Sequence, residues 1–301
     1  MNLLSPQEIA QAASAAGTKK AGMPVGRMVA LAVMAGVYIG LGGNICTVAS
    51  CDLSKYVGYG LSQVVAGSVF ALGLTLVLVA GAELFTGNNM MLTVAALDGK
   101  VSWTAVVRAW VIVYAGNFVG ALLLVWLVFN SGQWSSGGYL VGAKALATAN
   151  AKVSLSFSQA FFRGIICNWM VCLAVWMSLA AKDVAGKIAG LFFPIMAFVA
   201  GGFEHSIANM YFVPLGISLS GVQEVVSASG LAGKLGNLTW GGFVANNLLP
   251  VTIGNIIGGA LFVGALYWYA YLRGTPAQVQ VAQAQPAQVQ SAQTQAPASS
   301  R

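Results

Sequence analysis

Apolar residues in this chain come in long runs rather than in the stripes of a soluble helix or the alternation of a half-buried strand. A helix needs about 20 apolar residues to cross the hydrocarbon of a bilayer. Six stretches meet that length: 25–49, 61–97, 103–129, 160–181, 188–219 and 241–272. The pattern predicts an all-α integral membrane fold with six transmembrane helices. The second and fifth runs are too long for one straight crossing, and each contains a polar, glycine-bearing interruption. Both are expected to be broken helices. Lipid offers no partner for a free backbone N–H or C=O, so such breaks survive only where they are buried or line a cavity. That expectation puts both on a pathway.

The flanks read differently. Ser5-Pro6-Gln7-Glu8 has the form of a capping box with proline at the first helical position. A short amphipathic helix is expected to follow and to end at Gly17. The chain is thereby divided into an N-terminal interfacial helix over 1–24, a membrane domain over 25–273, and a tail over 274–301. The tail is rich in Gln, Ala, Pro and Ser without apolar periodicity, a composition expected to be disordered.

The two interruptions resemble each other. Glu83-Leu84-Phe85-Thr86-Gly87-Asn88 parallels Glu204-His205-Ser206-Ile207-Ala208-Asn209, each with Asn five positions after Glu. The spans that follow also match, Gly116-Asn117-Phe118-Val119-Gly120 against Gly254-Asn255-Ile256-Ile257-Gly258. Two halves of three spans each must run in opposite senses, giving a 3+3 inverted repeat. Paired broken helices in such a repeat point to a binding or conduction site near the midplane.

Composition agrees with this picture. The chain is 58% hydrophobic and 7% charged, against about 25% charged in soluble domains. The net charge of +7 comes from single basic residues scattered between apolar runs, which excludes a nucleic-acid patch. Lys19, Lys20, Arg27, Lys100, Arg108, Lys182, Lys187 and Arg273 fall on the side of the termini. Lys55, Lys144, Lys152, Lys234 and Arg163 fall on the other. The bias predicts cytoplasmic termini. No basic n-region followed by an apolar h-region opens the chain, so no cleavable signal peptide is expected. The cysteines, Cys46, Cys51, Cys167 and Cys172, form no CxxC pair and have no histidine at metal spacing. They read as small packing residues, with a Cys46–Cys51 disulfide left open.

Ionisable groups at membrane depth are costly and point to function. His205 is the only histidine, and it lies inside the second interruption beside Glu204. An imidazole there could lend a proton, or a strong hydrogen bond, to a weak-acid anion, and the neutral acid costs far less to desolvate at an apolar constriction. Glu83 and Glu204 occupy equivalent positions and are expected to orient the breaks by accepting hydrogen bonds. Thr86 and Asn168 are polar groups near the same region. Lys152 reads as a loop lysine before the fourth span, and Arg163 as an interfacial anchor. Phe70, Leu74, Leu84, Phe85, Val171 and Phe198 flank the polar centre, where some would seal it by dewetting. Gly36/Gly40, Gly116/Gly120 and Gly254/Gly258 allow close helix approach.

Three stretches carry a family resemblance: 82–88, 168–177, and Gly202-Phe203-Glu204-His205-Ser206-Ile207-Ala208-Asn209-Met210. They resemble the formate/nitrite transporter family, and the likeness extends from about Leu4 to Arg273. The resemblance implies an aquaporin-like helical channel domain, assembled as a homopentamer with one pore per protomer and no cofactor. It implies a bacterial or archaeal inner-membrane location and, as partners, the lipid bilayer, a proton and formate, nitrite or a related small anion. By motif position, His205 is implied as the central histidine, Thr86 as the threonine of the loop in the second helix, Asn168 as its polar partner and Lys152 as the outer vestibule lysine. Phe70, Leu74 and Phe198 are implied as the cytoplasmic constriction, Leu84 and Val171 as the outer one. The helix from Ser5 resembles the family's pH-responsive gating segment. Formate-, nitrite- and hydrosulfide-type members share these motifs, so the anion stays open. Within the pathway, Lys152 is expected to attract the anion and Glu204 to line its route. A water or glycerol channel would fit the fold without needing His205 or Lys152. A membrane enzyme would need a nucleophile or metal set that one histidine does not supply.

Overall fold

The structure is a computed structural model that describes residues 3–274. The tail expected to be disordered lies outside the described residues, apart from Gly274. All elements are helical: α1 (Pro6–Ala21), α2 (Val25–Ser50), α3 (Ser54–Gly81), α4 (Phe85–Leu97), α5 (Trp103–Asn130), α6 (Leu140–Val153), α7 (Phe157–Ala180), α8 (Val184–Ala200), α9 (Ser206–Leu219), α10 (Gln223–Ser229) and α11 (Trp240–Tyr271). Five of them, α2, α3, α5, α7 and α11, are long and apolar enough to cross a membrane. Large apolar side chains such as Val111, Trp126, Phe162 and Phe193 are exposed on the outside of the bundle. A water-facing surface of this kind would be an association liability, whereas a lipid-facing one is at home.

The first helix begins as its sequence dictates. The Ser5 hydroxyl accepts from Glu8 N–H, and Glu8 returns the bond to Ser5 N–H at 2.7 Å. The Ser5 N–H, then its hydroxyl, hold the Glu8 carboxyl below its ordinary value, aided by Lys182. This contribution is present at neutral pH and is lost as pH falls through the lowered value. Gly17 does not end the helix, which runs on to a cap at Gly22. Gly17 instead lets α1 lie against α4, where a Cβ would overlap the Met91 carbonyl. Ser14 Oγ donates to Asp98 at 2.6 Å, and Leu4 N–H donates to Ala180 O at 2.9 Å. α1 is thus packed onto the bundle along its length.

Small residues set the other close approaches. Gly36 and Gly120 bring α2 against α5, and Gly164, Gly254 and Gly258 bring α7 against α11. Each of these glycines sits on a neighbouring backbone, which is how helices gain dispersion contact where lipid removes the hydrophobic drive. α11 carries two π-helical stretches, Phe243–Leu248 and Ile257–Ala265, around Pro250. Cys46 and Cys51 are both free, so the open disulfide alternative is closed.

The helical path is interrupted at residues 82–84 and again at 201–205. Gly81 and Gly202 adopt positive φ, at 90° and 69°. The following N–H groups reach back over the last turn, Ala82 to Val77 O and Phe203 to Phe198 O. This is the glycine-terminated helix end in which a left-handed residue lets an N–H satisfy a carbonyl five residues back.

Replacing Gly17 by valine is expected to lift α1 from α4. Amide hydrogen exchange over α1 should then quicken by about an order of magnitude or more, while exchange in α2 and α5 stays slow. Unchanged protection of α1 would contradict this docking.

Candidate functional site

Each break is held by one asparagine from another helix. Asn117 of α5 donates from Nδ2 to Ala32 O at 2.8 Å and to Glu83 O at 2.9 Å, and its Oδ1 accepts from Phe85 N–H at 3.0 Å. Asn255 of α11 donates to Gly164 O at 2.8 Å and to Glu204 O at 3.0 Å, and accepts from Ser206 N–H at 2.9 Å. The intervening backbone also ties outward, Glu83 N–H to Leu31 O and Glu204 N–H to Arg163 O. Buried polar backbone thereby finds partners where no water or lipid could supply them.

The glutamates follow the same plan. Glu83 accepts from Lys20 Nζ at 2.7 Å and from Asn88 at 2.9 Å. Glu204 accepts from Lys152 Nζ at 2.9 Å, from Asn209 at 2.7 Å and from Asn247 at 3.0 Å. Both carboxylates thus accept side-chain hydrogen bonds beside the breaks, and each also lines a cavity. Lys20, Leu31 and Ala32 stand at the same spacing as Lys152, Arg163 and Gly164. The repeat thus extends beyond the spans, with α1 as the counterpart of α6. Lys152 is not a loop residue: it sits in the last turn of α6.

Where the halves differ, polar chemistry enters. In this register Gly36 corresponds to Asn168, and in the register of the two breaks Leu84 corresponds to His205 and Thr86 to Ile207. His205 caps α9, its Nδ1 accepting from Ala208 N–H at 3.1 Å. That bond leaves the proton of the neutral ring on Nε2, which lies 3.0 Å from Thr86 Oγ1 in the first turn of α4. The helices α4 and α9 thus meet with their N-terminal ends at one contact, and both dipoles present their positive ends there. The His205 ring is stacked on Phe198 at 5.9 Å between centroids, and Phe198 meets Phe70 edge to face at 5.6 Å.

Asn168 is placed as a strut. Its Nδ2 faces Asn255 O at 2.7 Å, Thr86 O at 3.2 Å and Asn89 Oδ1 at 3.3 Å, so its amide hydrogens are already engaged. It fixes the backbone beneath Thr86 and does not line the cavity at His205.

Cavities open on both sides of this centre. A cavity of about 160 Å³ is lined by His205, Glu204, Lys152, Lys144, Phe198 and Phe70 among others, and adjoins one of about 320 Å³ reaching Arg163. A cavity of about 480 Å³ is lined by Lys20, Glu83, Val77 and Val175 among others. Leu31 of α2 faces the latter and Thr47 of α2 the former. At 1.5 Å per residue this puts about 24 Å between the two mouths, close to the thickness of the hydrocarbon.

Phe70 and Phe198 consequently belong to the mouth that carries Lys152. The resemblance assigned them, with Leu74, to the opposite constriction, and that assignment is corrected. Phe198 lies in the last turn of α8, just before the break that also carries Glu204, and so shares the Lys152 side. Its counterpart at the equivalent helix end is Val77, on the Lys20 side. Leu74 is buried one turn beyond Phe70 in α3. Leu84, as the counterpart of His205, caps the opposite re-entrant helix, and Val171 is buried in α7. Neither Leu84 nor Val171 lines the cavities that carry Lys152.

A family model described as formate/nitrite transporter matches residues 7–269. The chain belongs to the formate/nitrite transporter family. Within this family it is 42% identical over 284 residues to a probable formate transporter of Methanothermobacter thermautotrophicus, covering 89% of this chain and 97% of that protein. It is 41% identical over 275 residues to the formate channel FocA of Escherichia coli (strain K12), covering 90% and 96%. Among solved structures it resembles a pentameric formate channel with formate bound, with a TM-score of 0.74 and 37% identity over 83% of this chain and 98% of that one. An FNT family ion channel gives a TM-score of 0.73 at 30% identity, covering 89% and 99%.

Neither Lys20 nor the bracing asparagines stood out from sequence as site residues. The signal was present in the shared Gly-Asn-x-x-Gly motifs and in the equal spacing of the two lysines, but only the backbone contacts give it meaning.

Asn255→Leu should unpair Glu204 O and Ser206 N–H together, while Gly164 O keeps its helical bond within α7. At about 1–3 kcal/mol for each buried group left unpaired, the purified protein should lose roughly 2 kcal/mol or more. The Asn117→Leu variant should fall by a similar amount. Thermal unfolding midpoints within a degree of wild type for both would contradict the bracing role.

Proposed function

We propose that this protein conducts small monovalent weak-acid anions, formate foremost and nitrite as a second substrate, with one pathway in each protomer of a homopentamer. The reading takes the chain as six crossings in an aquaporin-like 3+3 inverted repeat. The second crossing is α3 with α4, and the fifth is α8 with α9. Residues 1–24 form the interfacial helix, 25–273 the channel domain, and 274–301 a tail. We place both termini in the cytoplasm of a bacterial or archaeal cell, with the channel in its inner membrane. The observation that carries the proposal is the meeting of two re-entrant helix N-termini at Thr86 and His205, with a lysine-bearing mouth on either side.

The chemistry follows from the donors. Lys152 concentrates anions at the outer mouth, and Glu204 holds that lysine in place. The anion passes Phe70 and Phe198, sheds water, and exchanges it for the Nε2–H of His205 and the hydroxyl of Thr86. The positive ends of α4 and α9 face the same point, so negative charge is stabilised without a fixed cation that would trap it. Neutral His205 acts as a hydrogen-bond donor. Outright proton donation requires the imidazolium, which must give up its Ala208 bond because a protonated Nδ1 cannot accept. In that step one proton leaves the ring for the anion, the neutral acid crosses the apolar flank formed by Leu74, Leu84 and Val171, and the ring regains its proton from the aqueous mouth. Asn168 keeps Thr86 in position throughout.

The test is luminal pH in liposomes carrying the purified protein, after inward gradients of formate, nitrite or hydrosulfide. Acidification above empty liposomes is expected, fastest with formate. No protein-dependent signal with any of the three, together with faster water or glycerol flux, would replace this reading with a neutral-solute channel.

A further inference from the structure

The mouth on the α1 side holds more charge than conduction of a monovalent anion requires. Its cavity of about 480 Å³ falls within the roughly 300–1,000 Å³ of small-molecule pockets. Lys19, Lys20, Arg27 and Lys187 line it, against one carboxylate, Glu83. Lys20 is engaged by Glu83 at 2.7 Å. Lys19, Arg27 and Lys187 form no ion pair among the described residues.

The internal repeat separates framework charges from added ones. Lys20 and Lys152 are equivalent, and each orients a glutamate. In the same register Lys19 stands opposite Ala151 and Arg27 opposite Gln159, and in the register of the two breaks Lys187 stands opposite Ala66. None of the three braces a break. They come from α1, α2 and α8 and converge on one cavity. An orienting signal for membrane insertion needs basic residues near that face, but does not need them to share a cavity. A guanidinium fork with two ammonium groups suits an oxyanion of several charges, which can bind in a bidentate way and engage more than one cation.

We propose that this cavity binds a soluble polyvalent anion bearing phosphate groups, and that the bound anion closes the mouth from the α1 side. The closure rests on the conduction proposed above; the binding does not. Lipid headgroups carry the same chemistry. The cavity is walled by Leu31, Val77, Val175 and Leu179 from inside the helix bundle, which favours a soluble occupant.

The experiment is calorimetric titration of the whole protein in neutral detergent with inorganic pyrophosphate, then with inorganic phosphate and chloride at matched ionic strength. Saturable binding of pyrophosphate is expected, about tenfold tighter than phosphate, a difference of ~1.4 kcal/mol. Arg27→Gln and Lys187→Gln should each weaken it about tenfold. Lys144→Gln, on the opposite mouth, should leave it unchanged, and wild-type thermal unfolding of each variant verifies the fold. No saturable binding, or equal weakening by Lys144→Gln, would overturn the site. So would phosphatidylglycerol that binds at these residues and is not displaced by pyrophosphate, because the cations would then serve lipid. Saturable binding that leaves formate-driven acidification intact would overturn the closure alone. Absence of acidification before any pyrophosphate is added would count against the conduction reading, not against the site.

Discussion

Everything in this structure depends on satisfying the buried backbone groups where the helical path is interrupted at 82–84 and 201–205. A break frees N–H and C=O groups that water would pair at a surface and that lipid cannot. Asn117 and Asn255 answer this with the same three bonds, two donated and one accepted, each reaching from a helix outside the broken pair. With the backbone secured, the paired glutamates fix Lys20 and Lys152 at opposite mouths. The buried charges are thereby matched in situ, since a lone carboxylate or ammonium at this depth would be far more costly.

Because the two halves share this framework, their differences are informative. A duplicated frame alone would give the same residue at both re-entrant caps. Instead one cap is Leu84 and the other His205, and the polar partner Thr86 comes from the opposite re-entrant helix. The centre is therefore a heteropair across the repeat: a donor ring from one half and a hydroxyl from the other, 3.0 Å apart. The aromatic seal is asymmetric as well, with Phe198 standing where the other half has Val77. That gives the Lys152 mouth an aromatic floor.

The helical, membrane-spanning character was legible in the apolar runs, because hydrocarbon demands length and lipid-facing surface demands no charge. The placing of His205, Glu204 and Thr86 as polar residues in otherwise apolar runs was also legible, and all three are buried beside the interruptions. What sequence order could not supply was side. Phe70 and Phe198 were assigned to the wrong mouth because α3 and α8 enter the bundle from opposite ends, so position along a run does not fix depth. Gly17 read as a helix stop because glycine commonly ends helices, whereas here it makes room for the Met91 carbonyl. Asn168 reads from sequence only as a polar group near this region, whereas its amide is engaged by Thr86, Asn89 and Asn255. Lys152 read as a loop residue because its counterpart α1 shares no recognisable sequence with α6.

The most direct test of the asymmetric centre is to remove it while leaving the frame. His205→Leu gives both caps the same residue and keeps Asn117, Asn255 and both lysine–glutamate pairs. Formate-driven luminal acidification should then fall to the level of empty liposomes or nearly so, with the thermal unfolding midpoint close to wild type. Wild-type rate and pH dependence in this variant would contradict the account, because conduction would then belong to the frame and not to the donor pair at its centre.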